Sequence, residues 1–187
     1  MSDPNHRIVN AGRLVTQKNQ ELLINAFGRF HEKHPEYTLS IFGEGPLHEE
    51  LAEKIRILNL QNAVCLEGRS KQLHKDICDA EIFVLSSDYE GLSNALLEAM
   101  MMGFPCISTD CEGSTDVIEN GINGLLVHRG DEDGLVSALT LLAENAELRE
   151  NLGRRAKETS KRFRRKEVCQ EWAEMIERVE IRENKCD

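Results

Sequence analysis

The sequence predicts an α/β domain, doubly wound around a parallel sheet of about six strands. Three observations carry this. Apolar runs of four to six residues alternate along the chain with amphipathic stretches of helical period. The runs are too uniformly apolar to be strands with one wet face, which predicts central strands covered on both sides. The β-then-α order also recurs, as parallel strands require, because each connection must cross back over the sheet.

Arg7–Ala11 reads as the first strand. Lys18–Lys33 follows as a helix, with Leu22, Leu23, Ala26, Phe27 and Phe30 on one face. Tyr37–Phe42 is the second strand, broken by Gly43-Glu44-Gly45-Pro46, after which Leu47, Leu51, Ile55 and Leu58 recur at helical spacing. Ala63–Leu66 and Lys71–Cys78 form the next strand and a short helix, and Glu81–Ser86 and Ser93–Met102 the pair after that. Phe104–Ser108 and Gly124–Val127 complete the strands. From Asp131 on, the pattern is helical: Asp131–Glu144, Ala146–Ser160 and Lys166–Ile181, the last amphipathic through Val168, Trp172, Met175, Ile176 and Val179.

Composition sets limits on function. The 187 residues carry 33 acidic and 23 basic side chains, a net charge of −10, which argues against a general nucleic-acid binder. No apolar run approaches the roughly 18 residues of a membrane span, and the polar residues after Met1 do not resemble a secretory leader. Cys65, Cys78, Cys106, Cys111, Cys169 and Cys186 lack C-x-x-C spacing, so reduced thiols in a cytoplasmic protein are expected. No histidine pairs with a nucleophile to make an acyl-transfer triad. Eight basic side chains between Arg154 and Lys166 face Glu158 alone. A solvated helix face accounts for them, and contact with anionic lipid at the inner membrane surface is the second reading.

Two loops point to chemistry. In Asp88 to Met100 a strand gives way through Glu90-Gly91-Leu92-Ser93 to a helix, whose free N–H groups suit an anion such as phosphate. Glu90 and Glu98 flank that terminus and suit sugar hydroxyls. Singly, a helix-start acid accounts for Glu90 and a wet face for Glu98, but ligands of open α/β sheets bind where this loop sits. The second loop, Gly12 to Asn19, holds Arg13 and Lys18, a guanidinium fork and a mobile ammonium able to neutralise a diphosphate without metal. Each is equally a surface charge by itself, and two phosphate-suited loops on one sheet edge shift the balance. Gly43-Glu44-Gly45 begins like a dinucleotide fingerprint but has His48 at the sixth position, which disfavours an NAD site. Asp131-Glu132-Asp133 opens a helix and reads as an acidic cap, so no metal is assigned.

Gly12-Arg13-Leu14 with Lys18-Asn19, Gly43-Glu44-Gly45-Pro46, the E-x7-E of Glu90 and Glu98, and Asn120-Gly121-Ile122-Asn123-Gly124-Leu125-Leu126-Val127 together resemble the nucleotide-sugar-binding half of retaining glycosyltransferases of family 4. The resemblance implies a Rossmann-like three-layer domain, one half of a GT-B architecture, with extra C-terminal helices. Residues 1–6 would be a leader, 7–165 the nucleotide-sugar-binding domain and 166–187 a C-terminal helix and tail. It also implies a UDP-sugar donor, no metal or other cofactor, and a saccharide or lipid-linked acceptor held by an N-terminal domain that this chain lacks. Arg13 and Lys18 would hold the diphosphate, Glu90 the donor sugar and Glu98 the ribose. Amides around Gly91, Leu92 and Ser93 would hold phosphate or sugar, while Gly43 and Arg69 complete the donor site. Glu112-Gly113-Ser114-Thr115-Asp116 departs from the family's Gly-Gly-x-x-Glu, which touches donor-sugar identity. The expected activity is hexosyl transfer in surface-polysaccharide or glycolipid synthesis, with the isolated domain inactive. The alternatives are a stand-alone nucleotide-binding module working with a separate acceptor subunit and, more weakly, nucleotide-sugar epimerisation.

Overall fold

The computed structural model describes residues 6–163. Six parallel strands form one sheet in the order β3-β2-β1-β4-β5-β6. They are β1 (Arg7–Ala11), β2 (Thr38–Phe42), β3 (Val64–Gly68), β4 (Ile82–Leu85), β5 (Cys106–Thr109) and β6 (Leu125–Val127). The helices are α1 (Gln20–His31), α2 (His48–Ile57), α3 (Leu73–Asp76), α4 (Asn94–Met102), α5 (Glu112–Thr115), α6 (Glu132–Glu144) and α7 (Ala146–Ser160). The helix expected over Lys166–Ile181 and the basic residues 164–166 lie outside the described residues.

The period of two along each strand divides the core into two layers. Ile8, Ile82, Val84 and Ile107 pack with α1, α2 and α6 on one face of the sheet. Val9, Phe83, Leu85 and Cys106 pack on the other, with Leu96 and Met100 of α4 and Ala156 of α7. This double covering keeps β1 and β4 buried almost throughout.

Three sequence expectations need correction. Strands β3 and β6 are edge strands, not central ones: Cys65 and Glu67 of β3 face solvent, and Leu125 and Leu126 are only partly covered. Short apolar runs do not distinguish an edge from a centre, because either can bury one face. The first helix starts at Gln20, not Lys18. Asn19 takes a left-handed backbone (φ 44°) and its side chain accepts from Leu22 N, so it caps the helix while Thr16–Lys18 form a separate 3-10 turn. Finally, the four-residue helix α5 lies where no helical period exists to betray it.

Candidate functional site

The strand order puts β1 beside β4, and the loops after these two strands meet at the carboxyl edge of the sheet. The chain winds outward in both directions from this point, which is where ligands of open α/β sheets bind. The β1–β4 ladder spans only Ile8↔Ile82 and Val9↔Phe83. Beyond it, the buried Asn10 side chain donates to Val84 O at 2.9 Å, clipping the strands before their loops diverge to opposite faces.

Backbone contact between glycines shapes the crevice. A Cβ on Gly43 would lie 1.8 Å from Gly12 O, and one on Gly113 would lie 1.6 Å from Gly91 O. The loops therefore interlock at distances only glycine permits. Gly12 N donates to Phe42 O at 2.9 Å, Gly43 N to Gly68 O at 2.8 Å and Gly113 N to Glu90 O at 3.1 Å.

Lys18 and Glu90, 72 positions apart, form an ion pair between Lys18 Nζ and Glu90 Oε1. Their side chains are 18% and 9% exposed. Ser87 Oγ donates to the same Glu90 oxygen at 2.7 Å. Ser87 is fully buried, and its carbonyl accepts from Thr109 Oγ1. Around this centre Asn19 Nδ2 donates to Asp88 Oδ1 and Gln17 Nε2 to Tyr89 O, both at 2.8 Å, so the two loops are sewn together.

Arg13 is exposed and lines a cavity of about 470 Å³ with Gly12, Gly43, Glu44, Arg69 and Ser70. A second cavity of about 620 Å³ shares Gly12, Ser70 and Leu73 with the first and reaches Asn94 and Glu98 on α4. Glu98 is exposed and lines the second cavity, whereas Lys18 and Glu90 line neither cavity. Gly91 and Leu92 are exposed and Ser93 is buried just before α4. The first turn of α4 has neither an acidic side chain nor a side-chain cap.

Asp131 does serve as a cap, accepting from Gly134 N at 2.8 Å, while Glu132 and Asp133 pair with Arg29. Sequence reasoning missed Ser87, Thr109 and Gly113. Thr109 and Gly113 act through partners more than twenty positions away, Ser87 through a side chain three positions on that only the folded loop brings back to it, and each residue type is common enough locally to carry no signal. Among the described residues, Cys65, Cys78, Cys106 and Cys111 are all free thiols. None of the described helices is long and apolar enough to cross a membrane.

The doubly wound parallel sheet with its flanking helices is a Rossmann-like α/β fold matching the C-terminal domains of GT-B glycosyltransferases. Residues 2–159 match the family Glycosyl transferases group 1, and the chain belongs to that family. It is 33% identical over 171 residues to the putative glycosyltransferase EpsD of Bacillus subtilis, covering 90% of this chain and 44% of that protein. It is 32% identical over 165 residues to the N-acetylgalactosamine-N,N'-diacetylbacillosaminyl-diphospho-undecaprenol 4-alpha-N-acetylgalactosaminyltransferase of Campylobacter jejuni, covering 88% and 44%. The pneumococcal O-GlcNAc transferase GtfA, solved with UDP and GlcNAc, superimposes with a TM-score of 0.85 at 25% identity, over 94% of this chain and 36% of that one. The C-terminal domain of a glycosyl transferase group 1 protein from Francisella tularensis shares the fold, with a TM-score of 0.75 at 23% identity and coverage of 82% and 83%. The chain thus spans less than half the length of the curated relatives it matches.

Proposed function

We propose that this chain is the donor-binding half of a retaining, family 4 glycosyltransferase that transfers a hexosyl group from a UDP-sugar. The observation that carries the reading is the meeting of the Arg13–Lys18 loop with the Glu90–Ser93 loop at the switch point, Lys18 touching Glu90. The structure of GtfA, a neighbour of the same fold solved in complex with UDP, supports the choice of nucleotide.

In this reading Arg13 and Lys18 bind the diphosphate. As the bond from the sugar's anomeric carbon to phosphate oxygen lengthens, they stabilise the charge gathering on the leaving group, the task a metal ion performs elsewhere. The α4 amides behind Gly91, Leu92 and Ser93 add to that field. Glu90 contacts hydroxyls of the donor sugar, where positive charge develops in an oxocarbenium-like state, and the acceptor attacks from the face the diphosphate leaves. Glu98, on the wall of the second cavity, takes the ribose. Arg69 and Ser70 border the base, whose edges the backbone from Gly68 to Ser70 reads.

A separate N-terminal domain supplies the acceptor, so this half alone binds donor and transfers little or nothing. The undecaprenol-linked substrate in the Campylobacter relative's name supports a lipid-linked or saccharide acceptor, and with it a cytoplasmic enzyme working at the inner membrane surface. The exposed Arg154, Arg155 and Lys157 of α7 offer a basic face toward such a surface.

Calorimetry with UDP, GDP and ADP tests the reading. UDP is expected to bind best, with Arg13→Ala and Glu98→Ala each weakening it about tenfold, the value of one charge-assisted contact. Absence of binding by all three nucleotides, or indifference to both substitutions, would sink it.

A further inference from the structure

We propose that Glu90 is a latch on Lys18: it holds the ammonium, and a nucleoside diphosphate opens the latch by drawing that ammonium to phosphate. The inference rests on the nucleotide-sugar reading of the crevice and adds an order of events. Phosphate engages first, and its capture of Lys18 hands Glu90 Oε1 to the sugar.

The geometry confines the movement to one side chain. The Glu90 backbone is fixed by Gly113 N, and Gly113 is itself pressed against Gly91 O so closely that no Cβ fits between them. The carboxylate is held from below by Ser87 Oγ, a buried group with no freedom to follow a departing ion. The backbone of Lys18 is fixed as well, since its N–H donates to Val15 O and its carbonyl accepts from Ser86 Oγ, both at 2.9 Å. What remains mobile is the lysine stem, which runs along Gly12, where an added Cβ would lie 3.3 Å from Lys18 Cδ. Gly12 also lines both cavities, so the stem lies on the path from Glu90 to the open crevice.

Charge decides which way the ammonium goes. A lone carboxylate offers one negative charge, already shared with the Ser87 hydroxyl. A diphosphate beside Arg13 offers at least two, with oxygens enough for all three ammonium protons. The pair, however, is 18% and 9% exposed and therefore weakly screened. Nucleotide must break it before Lys18 can serve, and a latch closed in most molecules lowers the apparent affinity by the fraction left open.

UDP carries its ribose but no donor sugar, so Glu90 gives it no contact to lose, and the sign of the effect is diagnostic. Calorimetry with UDP is compared for the parent chain, Lys18→Met, Glu90→Gln and the double variant. Lys18→Met is expected to weaken UDP about tenfold, Glu90→Gln to tighten it about three- to tenfold, and the double variant to match Lys18→Met, because nothing is left to hold. Thermal melting checks each fold, and Glu90→Ala, which removes the carboxylate differently, must give the same sign. If the parent binds UDP and Lys18→Met weakens it, but both Glu90 variants bind as the parent or more weakly, the latch is overturned while the nucleotide site stands. If the parent binds UDP but Lys18→Met has no effect, the latch falls while the nucleotide site stands; if the parent does not bind UDP, the nucleotide reading fails and the latch with it.

Discussion

Gly43→Ala tests whether backbone contact between loops shapes the crevice. Gly43 has φ +152°, and its added Cβ would meet Gly12 O at 1.8 Å. A carbon and a carbonyl oxygen settle beyond about 3 Å, so the two segments must part by roughly 1.2 Å. They cannot part freely, because Gly12 N is bonded to Phe42 O, Gly43 N to Gly68 O and Leu14 N to Glu44 O, all within 3.0 Å. The unfavourable backbone conformation costs about 1–3 kcal/mol, and the overlap a further ~1–3 kcal/mol. At about 2–4 °C per kcal/mol for a domain of this size, the melting temperature should fall on the order of 5–20 °C. Gly121→Ala is the comparison: φ is +77° but nothing lies within 4 Å of the new Cβ. Only the conformational cost of about 1–2 kcal/mol applies there, a fall of about 2–8 °C. Below both transitions, UDP calorimetry should show Gly43→Ala weakened at least about tenfold, since Gly12 and Arg13 have been pushed aside, and Gly121→Ala unchanged. Equal falls in melting temperature for the two variants, or unaltered UDP binding by Gly43→Ala, would refute the reasoning.

Two further outcomes concern stability. Burial, and then the Glu81 carboxylate bonded to its hydroxyl, hold Tyr37 well above the ordinary phenol range, and burial raises the Cys106 thiol likewise. The unfolded chain releases these protons near pH 10 and 8.5 while the folded chain keeps them, so this contribution is fully present below those values and is lost progressively as pH rises from them toward the raised folded-state values. Urea denaturation from about pH 7 to 11 should therefore show a shallower alkaline decline for Tyr37→Phe and for Cys106→Ala than for the parent, and identical slopes would contradict the assignment. Asp131→Ala removes the cap on Gly134 N and should cost about 0.5–2 kcal/mol in denaturant melts, whereas Asp131→Asn should retain most of it; equal losses would argue against capping.

Much of the site was legible in the residues. Arg13, Lys18, Glu90 and Glu98 stand out because they lie in or just after loops that join apolar runs to amphipathic helices; Arg13 and Glu98 line the two cavities, and Lys18 pairs with Glu90. The support beneath them was not legible. Ser87 is one serine beside another, Thr109 ends an ordinary strand, and Gly113 was noticed only as part of an unusual pentapeptide. Each matters because of a contact with a residue between 3 and 22 positions away or on another loop. Asn19 is an intermediate case, since an asparagine ahead of an apolar-periodic stretch is a recognised helix start.

Local periodicity set the α/β class and the order of the six strands, and single residues marked the cationic and carboxylate loops. Each helix or strand must carry its own buried face. Tertiary structure alone decided that β1 neighbours β4, that β3 and β6 are edges, and that Lys18 meets Glu90 across 72 positions. It also decided which glycines are obligatory, since Gly43 and Gly113 are held to that identity by backbone from other loops while Gly121 meets nothing. The reason is physical: apolar period records that a face is buried but not against what, and pairing is settled by packing among segments distant in the chain.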